Sequence, residues 1–550
     1  MRKRSRPAKR ERPQTATDKP PASTIARLSW LVPLPLFLVL RLFSPDPYYL
    51  LGGDQCTFLE LGRTFPKHQL FNHELYLIHP PLFDYVIGVL HLVLPLLAAG
   101  LVATLLFSCV NLLAMRALGE FEGLPGAAIF AGLTYLALSR PAIAYDYHVA
   151  RVSPLVATTA LALLAFLRLL RDPSRKTLLI AIAANAACLL VSDQAILLLP
   201  CEAAIIWARG SFRQWRWVPL GFASAGAALL WPAVRLVRFL SRADLPAGID
   251  GAIEFTRNFP WRAVIQPNYL PFTNAHRSLF TQTSLSLLNL KPALLAGLPV
   301  DLVLIPRTVS MIVVLGLTAA ALARRDRRRS AALWLGLSIF FLLPVGVGMN
   351  EWYGMGFIVP FVLLMMEGAA AVLAWAGSLL RNPDAHVTVA LSAVCALLAA
   401  IWMAAPVPGP HGLLDPRGGT NFLFARTPLT RASGICRYFD SMPRDIGIMA
   451  PQGLSPEVVY LTDKRVVALP FDPRLLDRFI AEYRISYIVT SSEYLPQYRD
   501  SVLNLYTSHL VSPYIVDHLE RYRLVRSLHE GYPEFYPEFA SYVFQVRNAP

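Results

Sequence analysis

Charge is scarce in this sequence. Asp, Glu, Lys and Arg make up 16% of its 550 residues, against 55% apolar or aromatic ones and a mean hydropathy of +0.45. A soluble globular chain carries about a quarter charged residues, so that class is excluded and a polytopic membrane protein is expected. Cysteine is scarce too. The six cysteines (Cys56, Cys109, Cys188, Cys201, Cys395, Cys436) form no CxxC pair and no metal-ligand spacing. Four lie in apolar runs, where a cysteine serves as a small buried hydrophobe. Cys56 and Cys436 fall in polar segments on one side of the expected topology, which leaves a disulfide between them as an alternative. There is no GxGxxG, no Walker A sequence and no internal repeat, and low complexity is confined to a basic N-terminal tail.

The formal charge of +15 invites a nucleic-acid reading until it is located. The tail over residues 1–26 holds +6, residues 406–550 balance 15 basic against 15 acidic residues, and +9 lies among the hydrophobic segments. A nucleic-acid binder gathers its charge on one face of a folded domain, and this chain does not.

A helical span needs roughly 17–25 mostly apolar residues. Such runs occur near 27–43, 97–116, 124–140, 152–171, 177–191, 194–209, 218–240, 299–323, 331–349, 355–377 and 387–405. The first is followed by Arg41 and SPDPYY rather than by a small-residue cleavage site, so it reads as an uncleaved anchor. With the tail inside, the basic loops RDPSRK, RGSFRQWRW and RRDRRRS all fall in the cytoplasm, as the positive-inside rule requires. Leu82–Leu96 is apolar enough to cross, but a crossing there would invert every later loop. It is therefore read as a helix at the outer interface. The expectation is a membrane all-α protein, a polytopic helical bundle of about 11 spans plus interfacial helices, with the N-terminus inside. It is placed in the cell's inner (plasma) membrane.

From about Arg426 the pattern changes. Strand candidates Ile446–Ala450, Val466–Leu469, Ile485–Thr490, Leu524–Ser527 and Tyr542–Val546 alternate with helix candidates Pro473–Tyr483 and Ser501–Leu510. This alternation reads as a small α/β domain with some parallel pairing. The chain thus divides into a cytoplasmic tail (1–26), a membrane domain (27–405) whose first outer loop is 44–96, and an extracytoplasmic C-terminal α/β domain (406–550).

Ionisable groups beside a bilayer are costly and therefore informative. The first outer loop is the richest, with Asp54, Glu60, Arg63, Lys67, His68, His73, Glu74, His79 and Asp84 among many aromatics. After Gly52–Gly53, Asp54, Phe58, Leu61 and Phe65 recur at helical spacing, which predicts an interfacial helix with Asp54 in its first turn. From spacing alone the plain reading of Asp54 as an N-cap is the favoured one.

Asp54-Gln55, Phe58 one turn on, and His79-Pro80-Pro81-Leu82 followed by Asp84-Tyr85 resemble the first outer loop of the GT-C glycosyltransferases. The likeness is to the group with the protein O-mannosyltransferases and the lipid A aminoarabinose transferase. Where that group often has Asp-Glu, this chain has Asp54-Gln55. The resemblance implies transfer of a sugar from a polyprenyl-phosphate donor to an acceptor, with inversion at the anomeric carbon. The acceptor, whether lipid, glycan or protein, is left open. It makes Asp54 the candidate general base, a role that needs hydrogen-bond reach and a tuned pKa. Arg63, Lys67 and His79 become candidates to meet the leaving phosphate; for Arg63 and Lys67, snorkelling to head groups is the alternative.

In the second outer loop, Asp146, His148 and Arg151 are substrate-binding candidates, with an Asp146–Arg151 pair as the alternative. Asp193 supports no assignment. The loop 242–290, with Arg257, Arg262 and Arg277 among aromatics, suits either a substrate entrance or a plain interfacial cover. His68, His73 and His79 are five and six residues apart, not the three or four of helix-borne metal ligands. No metal ligand is assigned, and the resemblance leaves a divalent metal open. Two other functions fit a polytopic chain: a transporter or flippase of lipid-linked sugars, and a non-catalytic membrane scaffold. A transporter would be expected to show repeated halves with mid-span charges; here the charges cluster at the expected outer interface, Pro-interrupted spans do not fall in matching halves, and no inverted repeat is visible.

Overall fold

The structure is a computed structural model. It describes residues 33–42, 53–67, 69–70, 74–75, 80–147, 149–209, 217–227, 230, 302, 307–346, 355–377, 383–404, 433–451, 454–469, 476–491, 514–515, 517–529 and 540–547. The expected tail, the whole 242–290 loop and the helix candidate Ser501–Leu510 lie outside the described residues.

The first four-fifths of the described chain is helical. In chain order come α1 (Pro33–Leu42), α2 (Gly53–Arg63), α3 (Leu82–His91), α4 (Leu96–Phe121), α5 (Gly126–Leu138), α6 (Arg140–Tyr147), α7 (Val152–Arg171), α8 (Arg175–Val191) and α9 (Leu198–Arg209). After these come α10 (Arg307–Ala323), α11 (Arg328–Gly346), α12 (Ile358–Ala376) and α13 (Pro383–Ala404). Among the described residues, three stretches are long and apolar enough to cross a membrane by length and composition: Leu96–Phe121, Val152–Arg171 and Met355–Ala376. Several boundaries are written locally. Pro95 and Pro125 immediately precede α4 and α5, where a missing N–H costs nothing. Ser174 and Thr177 close a capping box at the start of α8.

Helices α7 and α12 are apolar nearly all round and buried nearly all round, which makes them the centre of the bundle. Helix α12 packs on α5, α10 and α11, and α7 packs on α4 and α8. Small residues permit the closest approaches: a Cβ on Gly368 would lie 2.3 Å from the Leu317 carbonyl oxygen of α10.

Arginines of the three expected cytoplasmic loops converge on the turn between α4 and α5. Arg209 pairs with Glu122 at 2.7 Å, and Arg171 donates to the Phe121 carbonyl at 2.7 Å. Arg327 donates to the Glu122 carbonyl and to the buried Glu367 carboxylate, each at 3.1 Å. Part of the charge that reads as an orientation signal therefore also fastens helices together.

Leu82–Leu96 is not one helix. Helix α3 ends at His91, residues 92–95 turn, and α4 starts beyond Pro95. Helices α2 and α3 lie close, because a Cβ on Gly62 would meet the Ile87 side chain at 2.5 Å and one on Gly88 would meet Phe65 at 2.3 Å. A two-stranded ribbon, β1 (Gln69–Leu70) with β2 (Glu74–Leu75), follows α2.

The C-terminal part contains α14 (Ser433–Asp440), β3 (Gly447–Ala450), α15 (Ser455–Thr462), β4 (Arg465–Ala468), α16 (Leu476–Tyr483), β5 (Ile485–Ser491), β6 (Tyr522–His529) and β7 (Ala540–Val546). The sheet order is β4-β3-β5-β7-β6, with β3 parallel to β4 and β5, and β7 antiparallel to β5 and β6. Alternate strand residues face opposite sides. Ile448, Val466, Val489 and Val543 pack under α14 and α15, while Met449, Val467, Ile488 and Phe544 pack under α16. Cys56 and Cys436 are both free thiols in separate buried clusters, so the alternative of a disulfide between them is not realised.

Candidate functional site

Helix α2 begins at Gly53, which places Asp54 in its first turn, where the exposed N–H groups favour a carboxylate. The Asp54 side chain itself lies outside the described residues. From Gln55 to Leu61 every residue of α2 is buried, polar ones included. Helices α3, α4 and α15 pack against α2. Phe58, one turn after Asp54, stacks edge-on to Phe83 at 5.7 Å between centroids. The Arg151 guanidinium sits 5.4 Å from the Phe58 centroid, a cation–π arrangement.

Arg151 does not pair with Asp146. Its charge acts on Asp84, a fully buried carboxyl in the first turn of α3. Burial pushes the Asp84 pKa well above the usual carboxylate range, and the Arg151 charge only partly offsets this. Arg151, Phe58, Phe83 and Asp84 thus join the segment before α7 to α2 and α3, one turn from Asp54.

Asp146 has a different partner. Arg41, near the end of α1, donates from Nε to Asp146 Oδ2 at 2.5 Å. Ser153 donates to Oδ1 at 2.5 Å, and Ser108 donates to the same oxygen. Arg41 also donates to the Ala137 carbonyl at 3.2 Å and lies over the Phe37 ring at 3.5 Å. One carboxylate thereby ties α1, α4, α6 and α7, and its arginine reaches α5. Arg41 is 1% exposed and Asp146 9%, so the pair is inside the protein. A cavity beside it, lined by Arg41, Ser108, Asn111, Tyr145, Asp146 and Ser153, has about 20 Å³ of free room. That is about one water and far too small for a sugar.

Arg63 ends α2, nine residues and roughly 14 Å along the helix from Asp54. Its guanidinium is taken by two carboxylates, Glu60 Oε2 at 2.7 Å and Asp463 Oδ1 at 2.9 Å. Glu60 is 2% exposed, and burial raises its pKa to about 7 against the lowering effect of Arg63. Lys67 stands exposed in the turn beyond the helix. His68, His73, His79 and His148 lie outside the described residues, as does the Asp193 side chain. No cluster of three potential metal ligands occurs among the described residues.

Two groups here escape sequence reasoning. Arg41 stands out only as a charge at the end of an apolar run, and its partner is 105 residues away. Asp463 follows α15 in a left-handed conformation, φ 52°, which a short polar side chain tolerates. Nothing local marks it as a partner for Arg63.

No protein-family profile matches the sequence, and no curated protein matches it. Solved structures do. ArnT of Cupriavidus metallidurans bound to undecaprenyl phosphate superposes with a TM-score of 0.50 at 13% identity, covering 95% of this chain and 98% of that one. The oligosaccharyltransferase of Archaeoglobus fulgidus in its apo form gives 0.49 at 12% identity, over 89% of this chain and 72% of that one. Both are GT-C glycosyltransferases, and the fold of this chain is GT-C-like.

Proposed function

We propose that the protein is an inverting membrane glycosyltransferase that moves a sugar from a polyprenyl-phosphate donor to an acceptor at the outer membrane face. The reading is carried by the ArnT-like fold over nearly the whole chain, joined to an outer-loop helix with Asp54 in its first turn. In this reading about 11 helices cross the membrane, the basic loops lie in the cytoplasm, and residues 406–550 form an extracytoplasmic α/β domain. A lipid-phosphate donor suits a site at this interface, where a prenyl chain stays in lipid while its head group meets the loop.

Asp54 is assigned as the general base. It takes the proton of the acceptor hydroxyl as that oxygen attacks the anomeric carbon. The bond from the anomeric carbon to the phosphate oxygen breaks on the opposite face, and the polyprenyl phosphate leaves with the electron pair. Lys67, exposed just past α2, and His79 are assigned to the leaving phosphate, whose growing charge needs donors. Asp146, held by Arg41 and two serines, is assigned to positioning the second outer loop, and His148 to binding the sugar. Arg151 is assigned to fixing the Phe58 turn rather than to direct contact.

The test is genetic and chemical together. Deleting the gene should remove one class of glycolipid or glycan from the envelope, seen by mass spectrometry, and the wild-type chain should restore it. Asp54→Asn at normal protein level should not. Restoration by Asp54→Asn removes Asp54 as the base, and an unchanged glycan profile on deletion removes the transferase reading.

A further inference from the structure

The C-terminal unit touches the helix that carries Asp54. Helix α15 packs along α2, and Tyr460 in its last turn sits on the buried cluster of Cys56, Phe58 and Leu59. One turn further, Asp463 reaches Arg63, which Glu60 already holds from within α2. Helix α2 has only 11 residues. A helix below about 12–15 residues has little stability of its own, so what packs against it decides where it lies. It packs against α3, α4 and α15.

We infer that the last turn of α15 sets the position of the Asp54-bearing helix, with Tyr460 as the packing contact and Arg63 as the tether between Glu60 and Asp463. The C-terminal unit is then a working part of the membrane site rather than a separate binding module. This rests on the assignment of Asp54 above. It gives Arg63 a positioning role in place of phosphate binding.

Native Cys56 reports on the contact without any substrate. Its thiol is fully buried in the cluster that Tyr460 covers. In the full-length protein in lipid nanodiscs, maleimide modification of Cys56 is followed by mass spectrometry of its peptide. Cys188, fully buried in the helical bundle, serves as the control for general unfolding. Asp463→Asn keeps a residue suited to the left-handed backbone and removes the charge. It should raise the Cys56 rate about threefold, as befits a partly exposed ion pair, with Cys188 unchanged. Tyr460→Ala should raise it more than tenfold.

In cells lacking the gene, glycan restoration should fall across these variants in the order in which Cys56 labelling rises. Cys56 labelling that stays at the wild-type rate in both Asp463→Asn and Tyr460→Ala overturns the inference. So does faster labelling with full glycan restoration. If the wild-type chain restores no glycan, the transferase reading fails, while the labelling still decides whether α15 holds α2.

Discussion

Arg41 Nε and Asp146 Oδ2 lie 2.5 Å apart, across 105 residues of sequence and inside the protein. Neither charge is placed there by a local pattern, and burying either alone would be costly. Their pairing, completed by Ser108 and Ser153, fixes where the segment between α6 and α7 leaves the bundle.

Breaking that pair should therefore cost more than ordinary surface substitutions do. Asp146→Ala strands the Arg41 guanidinium and is expected to destabilise the protein by about 3–5 kcal/mol. Removing both charges with Arg41→Met and Asp146→Leu should recover much of the loss. Thermal unfolding in detergent measures this. A single variant that melts with the wild type would show that the pair does not hold that segment.

A second expectation separates the arginines of the RRDRRRS loop. Arg327 bonds the buried Glu367 and the Glu122 carbonyl, whereas Arg325 is exposed. Arg327→Ala leaves the Glu367 carboxylate with the Ser330 hydroxyl as its donor among the described residues, and should lower stability by about 2–3 kcal/mol. Arg325→Ala should stay within about 0.5 kcal/mol. Equal effects would mean that Arg327 acts only as an orientation charge.

Glu60 should impose a pH dependence. Its folded-state pKa is raised from 4.5 to about 7 by burial, with Arg63, Asp463 and Tyr460 as its charged or titratable neighbours. A raised carboxyl holds its proton in the folded protein, so its contribution to stability is complete below about pH 4.5. That contribution declines as pH rises through about 7 and is level above. The melting temperature should accordingly fall between pH 5 and pH 8, and Glu60→Gln should flatten that slope. An equal slope in the variant would assign the dependence to other groups.

Gly88 offers a steric test of the α2–α3 contact. An added Cβ would lie 2.3 Å from the Phe65 Cβ and 3.0 Å from the Gly62 carbonyl oxygen. Gly88→Ala should force the helices apart, raise Cys56 labelling and reduce glycan restoration. Wild-type behaviour in both assays would show that α2 tolerates displacement.

The apolar runs and their punctuation were readable from sequence. The run 152–171 coincides with α7, and the spacing of Phe58 and Leu61 points to the helix that α2 is. Strand–helix alternation after Arg426 anticipates the mixed five-stranded sheet. Helix α15 was harder, because Val458, Val459 and Tyr460 carry strand preference. The Ser-Pro-Glu start, with Pro456 near its N-terminus, was the available helix signal. The Asp146 cage and the Arg63–Asp463 tether were not legible at all. Each joins residues more than 100 positions apart through burial and packing, which periodicity does not encode.

The central claim is that Asp54 performs sugar transfer at the outer face. Its most direct measurement is glycan restoration by Asp54→Asn in cells lacking the gene, at matched protein level and with Cys56 labelling at the wild-type rate. The account expects a folded, membrane-inserted protein that restores none of the missing glycan. Full restoration by that variant would contradict it.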